Sequence, residues 1–171
     1  LSNGEGNHGE DVKELYYYLD ATPTHSYLKM LYKYPQAAFP YERLVRENGE
    51  RGVGQPELEL IDTGVFDDNR YFDVFVEYAQ ADPEDVLMRV TAINRGPGPA
   101  PLHLLPQLWF RNTWSWKAGS AKPQLMDVDE AEVLAEHAAL GTYRLYLDGA
   151  PGLLFTGNDT NVRRLYGRAV P

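Results

Sequence analysis

Residues Leu102–Lys117, LHLLPQLWFRNTWSWK, contain all three tryptophans of the 171-residue chain and constrain its fold more than any other stretch. From residue 108 the side chains alternate. Leu108, Phe110, Asn112, Trp114 and Trp116 fall on one side; Trp109, Arg111, Thr113, Ser115 and Lys117 fall on the other. Period two with one apolar side predicts a strand that buries that side. Asn112, set among aromatics, needs hydrogen-bond partners wherever it is buried. Arg, Asn and Trp are also the residue types that bind sugars, but a stacked core is the favoured reading, and it puts the Leu108–Trp116 side at the centre of a sandwich core.

The same alternation recurs upstream. Tyr71–Gln80 sets Phe72, Val74, Val76 and Tyr78 against Asp73, Phe75 and Glu77, and Asp82–Pro83 marks a turn. Val86–Asn94 follows, with Val86, Met88, Val90 and Ala92 on one side. Arg95–Pro101 (RGPGPAP) holds too much Pro and Gly for any element and reads as a second turn. The three segments together predict an antiparallel meander ending in the tryptophan strand. Thr142–Asp148 and Gly152–Thr156 read as a hairpin about Asp148–Gly149, and Val162–Tyr166 reads as a further strand after a turn at 158–161. About seven or eight short strands predict a mainly β chain, an antiparallel β-sandwich of the supersandwich type and incomplete as it stands.

The first 56 residues differ from the rest. Seven of the twelve tyrosines lie before residue 50, which predicts a segment docked on the sandwich rather than free. A strand is expected near Glu14–Leu19. Thr24 after Pro23 reads as the N-cap of a helix running to Tyr34 and stopped by Pro35, with Tyr27, Leu28, Met30, Leu31 and Tyr34 as its apolar side. A second short helix is expected from Pro40 to about Glu47, closed by Asn48–Gly49. One domain spanning 1–171 is expected, with 1–56 as its helix-containing part.

Composition limits the chemistry. A net charge of −9 argues against nucleic acid and anionic membranes as partners. The absence of cysteine removes disulfides, thiolate catalysis and zinc–cysteine sites. No apolar run reaches membrane-span length, and a cytoplasmic location is expected. The four histidines, His8, His25, His103 and His137, form no HxxxH or HxH pair, and no phosphate loop, dinucleotide fingerprint or nucleophile elbow is present. Asp62, Asp67, Asp68 and Asp73 cluster around Val65–Arg70, and Asp67–Asp68–Asn69 falls between strands. Its spacing is not that of an EF-hand, so turn chemistry is preferred to calcium. No cofactor and no metal are expected.

Four stretches carry a resemblance: Gly6–Asp20 (GNHGEDVKELYYYLD), Thr22–Pro40 (TPTHSYLKMLYKYPQAAFP), Leu60–Tyr78 (LIDTGVFDDNRYFDVFVEY) and Leu102–Trp116. Together they resemble the N-terminal region of large bacterial glucosidase-like proteins similar to glycoside hydrolase family 63, whose members include processing α-glucosidase and mannosylglycerate hydrolase. The resemblance implies an N-terminal β-sandwich packed on an (α/α)6 barrel. It also implies an inverting hydrolase whose acid and base both sit on the barrel. No position here matches either catalytic group, so no catalytic residue is assigned. The expectation is a non-catalytic domain of an α-glycosidase-like enzyme that braces a barrel on the same chain, with carbohydrate met through the whole enzyme.

The residues expected at a domain interface or in contact with sugar are His8, Glu10 and Asp11 in the first loop and Arg111, Asn112, Trp114 and Trp116 on the tryptophan strand. An incomplete sandwich exposes strand edges, so self-association through an edge is expected. The main alternative is a self-sufficient carbohydrate-binding module using the tryptophans as platforms. A third reading, an epimerase or mutarotase, would need a histidine and a carboxylate facing one cleft.

Overall fold

A computed structural model describes residues 15–116, 118–158 and 161–167. The chain is mainly β, with two antiparallel sheets, and divides into two compact units, Leu1–His103 and Leu104–Pro171.

The first unit carries a four-stranded meander of β1 (Leu15–Ala21), β2 (Tyr27–Pro35), β3 (Tyr71–Asp82) and β4 (Asp85–Asn94), in that spatial order. The helix expected from Thr24 to Tyr34 is absent, because this segment forms β2. Its apolar residues satisfy both periods: Leu28, Met30, Tyr32 and Tyr34 share one side at a spacing of two. Pairing decides between the periods, since β2 lies between β1 and β3 and bonds to both. The would-be cap is absorbed into the β1–β2 connection. Thr22 Oγ1 accepts from the Tyr27 amide at 3.1 Å, and the Thr24 and Ser26 hydroxyls lie 2.9 Å apart.

Register sorts the sheet into two unlike faces. One carries Tyr16, Tyr18, Met30, Tyr32, Phe72, Val74, Val76, Val90 and Met88. The other carries Lys29, Lys33, Asp73, Glu77 and Arg89. Between β2 and β3 the chain forms α1 (Tyr41–Glu50), which extends past its expected end at Glu47. Leu44 of α1 packs with Leu58 and Leu60, and Leu15, Phe39, Val65 and Phe66 close around these three buried residues. The Asn48 amide is the bolt of this small core. Its Nδ2 donates to the Leu58 carbonyl at 3.1 Å and its Oδ1 accepts from the Leu58 amide at 2.7 Å.

Leu60–Thr63 is a 3-10 turn ending on Gly64 at φ 77°, where a side chain would be strained. Asp67–Asn69 is a second 3-10 turn, with Asp68 and Asn69 in the left-handed region. This is the turn expected of that acidic run.

The second unit holds a three-stranded meander of β5 (Gln124–Asp129), β6 (Glu132–His137) and β7 (Gly141–Tyr146). Val133 and Ala135 of central β6 are its buried residues. Two expectations fail here. Gly152–Thr156 forms no strand, so β7 pairs back on β6 alone. Val162–Tyr166 is a helical turn, α2, capped by Asn161, whose Oδ1 accepts from the Arg164 amide at 3.0 Å; Gly167 ends it.

The larger correction concerns the tryptophan stretch. Residues 101–113 have no regular structure, and Trp114–Trp116 is a 3-10 turn. The meander of the first unit therefore ends at β4 and runs backward to β1, without the tryptophan segment.

Candidate functional site

Two groups of side chains are assembled, one in each unit.

In the first unit, Asp73 is the only buried charged residue among the described ones, at 5% exposure. The register sets it directly between Lys33 on β2 and Ile93 on β4. Lys33 Nζ donates to one carboxylate oxygen at 2.7 Å, and Arg95 Nε, just past β4, donates to the other at 2.7 Å. Burial works to raise the Asp73 pKa, but the bonds from Lys33 and Arg95 outweigh it and hold the carboxyl below its ordinary range. Lys33 answers in kind. Burial works to lower its pKa, and the bond to Asp73 raises it above the ordinary lysine value. The Lys33 ammonium also sits 4.5 Å from the centre of the Tyr71 ring.

Four residues along β3, Glu77 repeats the pattern nearer solvent. It accepts from the Tyr27 hydroxyl at 2.7 Å and from Arg89 Nε and Nη2 at 3.0 and 2.9 Å, with Lys29 Nζ 3.7 Å away. The Tyr27 and Arg89 bonds hold its pKa down, while the bond to Glu77 raises that of Tyr27. A general acid needs the opposite, a carboxyl kept protonated near neutral pH. Asp73 and Glu77 are locked as anions, and the ladder ties three strands together.

The sequence held a signal for this ladder. Lys29 and Lys33 are four apart, as are Glu77 and Asp73, and a strand reading of 27–35 lays each cation opposite an anion. The helix reading hid that match.

In the second unit the residues expected at an interface or sugar site form a knot. Arg111 lies over the Trp116 ring, 5.1 Å from its centre, and Lys122 Nζ lies 5.4 Å from that of Trp114. Lys122 Nζ also donates to the Gly157 carbonyl at 2.7 Å, and Asn158 Nδ2 to the Phe110 carbonyl at 2.7 Å. The Phe110 ring rests against His137 at 5.4 Å.

Asn112 explains why the alternation fails. Its Oδ1 accepts from the Ser115 amide at 3.3 Å and its Nδ2 reaches the Asn158 carbonyl at 3.4 Å, while the Thr113 amide bonds back to the Arg111 carbonyl at 2.8 Å. These local bonds curl the backbone where a ladder would have straightened it. The sequence-based core reading is overturned with it: of the side expected to be buried, Leu108 is 45% and Trp116 69% exposed, and Phe110, Asn112 and Trp114 are only half-buried. Arg111, Asn112, Trp114 and Trp116 are thus brought together, though not on one face of a strand. His8, Glu10 and Asp11 lie outside the described residues.

Elsewhere, Arg46, Glu47, Glu50, Arg51, Gln55 and Pro56 line a shallow polar depression beside α1. Among the described residues, no group of three or more His, Asp or Glu is placed to hold a metal ion. No helix of the described residues is long and apolar enough to cross a membrane.

An uncharacterized protein of Saccharomyces cerevisiae, YMR196W, is 40% identical over 201 aligned positions, taking in 97% of this chain and 18% of that protein. The chain thus spans less than a fifth of the relative's length. No family model matches the chain, and no solved structure matches it.

Proposed function

We propose that this chain is a non-catalytic β-domain of a larger α-glucosidase-like glycoside hydrolase, a β-sandwich that braces an (α/α)6 catalytic barrel of the same protein in the cytoplasm. The observation that carries the reading is the state of the engaged carboxylates. Asp73 and Glu77 are clamped by cations from the flanking strands and tie β2, β3 and β4 together, which suits a rigid scaffold and keeps neither in the protonated form a general acid needs. A further fact agrees with it. A relative with 40% identity is more than five times as long as the matched region, which leaves room for a separate catalytic domain.

The test is hydrolysis by the purified chain. No glucose release is expected from α-linked disaccharides, and turnover abolished by changing a single carboxylate of this chain would overturn the assignment.

A second reading, a self-sufficient carbohydrate-binding module, is favoured by the exposure of Trp109 and Trp116. Exposed indoles stack on pyranose faces. Against it, the Arg111 guanidinium already occupies one face of Trp116. Titration with gluco-oligosaccharides separates the two readings. A scaffold leaves tryptophan emission unchanged, and a module shifts it in a way that Trp109→Ala or Trp116→Ala removes.

A further inference from the structure

The outer edge of β4 is built unlike the other sheet edges. Edge strands of soluble proteins are ordinarily blunted by bulges, Pro, Lys or short length. At the opposite edge of the same sheet, β1 is broken by a register shift between Tyr18 and Asp20 and carries a charge there. The edges of the smaller sheet, β5 and β7, are six residues each and carry Asp127, Asp129 and Arg144.

β4 pairs with β3 without interruption from Val86 to Asn94, and the only shift lies at its hairpin, between Gln80 and Asp82. Val86–Asn94 (VLMRVTAIN) contains no Pro, Gly or Lys. Its one charge, Arg89, is engaged by Glu77. Val86 is 61% exposed, Leu87 58% and Met88 45%. Among the described residues no other strand pairs with its outer side.

We propose that β4 is a self-association edge, on which a second copy of this chain adds its own β4 antiparallel across a twofold axis, joining two four-stranded sheets into one. The sequence of β4 selects the register. Opposed residues in an antiparallel pair must both point their amides toward or both away from the partner, so the twofold falls on a residue. Centred on Arg89, it would set two like charges face to face, which is destabilising. Centred on Val90, it sets Val90 against Val90, Arg89 against Thr91, Met88 against Ala92 and Leu87 against Ile93. Apolar then meets apolar at every pair but Arg–Thr and the outermost, Val86–Asn94. Nine residues pair, a seam roughly 30 Å long at about 3.4 Å per residue. A seam of one strand is small beside standard interfaces, so the dimer is a weak, concentration-dependent one.

The test is sedimentation equilibrium over a wide concentration range. The chain is expected to follow a monomer–dimer equilibrium. Leu87→Asp and Ile93→Lys, each at an exposed position, weaken it about tenfold or more. The double variant recovers dimerisation, because the carboxylate introduced in one copy then faces the ammonium introduced in the other.

The chain lacks cysteine, so Val90→Cys provides a second readout that does not depend on those variants folding. Directly opposed residues have Cα atoms about 4.5–5.5 Å apart, within disulfide range, and oxidation yields a covalent dimer. A strictly monomeric chain whose Val90→Cys variant fails to cross-link would overturn the proposal, as would β4 pairing with residues 102–110. With Arg89 kept, faster cross-linking of Leu87→Cys to Thr91→Cys than to Ile93→Cys in a mixture of the two single variants overturns the register and with it the argument from β4's sequence.

Discussion

Removing the Asp73 carboxylate tests whether the charged ladder holds the four-stranded sheet. Asp73→Asn keeps the shape but gives up the charge, and with it two charge-assisted bonds, each of the order of 1.5–3 kcal/mol. Three effects reduce that sum. The side chains of Lys33 and Arg95 are 24% and 44% exposed, so both cations regain water when the anion is gone. Asn can accept from one of them, and its neutral amide avoids the desolvation cost that the buried anion carried. Against this, the Asn NH2 group faces a cation and stays unsatisfied. The net loss expected is about 2–3 kcal/mol. Lys33→Met severs one bond and leaves Asp73 held by Arg95, for about 1–2 kcal/mol.

The tryptophans all lie at 109–116, in the second unit, so urea unfolding of the first is followed by far-UV circular dichroism. The pH dependence gives a second check. A carboxyl with a lowered folded pKa contributes stability above the ordinary carboxylate range and loses it as pH falls through the folded value. The gap between wild type and Asp73→Asn is therefore full at neutral pH and closes in acid. Lys33, with a raised folded pKa, keeps its contribution until the pH climbs past the ordinary lysine range. A loss below about 1 kcal/mol at neutral pH, or a gap that stays constant into acid, refutes the reasoning.

Two further changes address the small core beside α1. Leu60 is the most deeply buried apolar side chain among the described residues, at 1% exposure, and its change to Ala costs about 2–5 kcal/mol, measured by the same unfolding assay. Asn48→Ala costs about 2 kcal/mol, because it removes one donor and one acceptor from the Leu58 backbone, and hydrogen exchange at the Leu58 amide accelerates with it.

The strands legible in advance were those whose alternation agrees with their pairing. β3 and β4 alternate cleanly and are joined by an Asp82–Pro83 turn, so their existence and their pairing follow from the letters alone. The mainly β class was legible for the same reason, and the two antiparallel sheets bear it out. β2 was not legible because LKMLYKY is amphipathic at both periods, and only its position between β1 and β3 chooses one. The Asp73 triad was lost with it, since Lys33 meets Asp73 only if 27–35 is extended. In α2 the deciding residues were Asn161 and Gly167, a cap and a stop flanking VRRLY that outweigh the strand propensity of its ends.

The tryptophan stretch shows the limit of periodicity most directly. Alternation states which side chains would share a face if a neighbouring strand supplied hydrogen bonds, and it says nothing about whether one does. From Leu102 to Thr113 the backbone forms no ladder among the described residues, although the alternation that begins at Leu108 is as regular as that of β3. Where the ladder is absent, the strongest local bonds set the course, and at residues 111–115 those are the Asn112 side chain and the tight Thr113–Arg111 turn. The aromatic rings then find cations instead of a core, Arg111 on Trp116 and Lys122 on Trp114. β4 and 102–113 are two outcomes of one rule: a strand pattern becomes a strand where a neighbour supplies the ladder, and gives way to local bonds where none does.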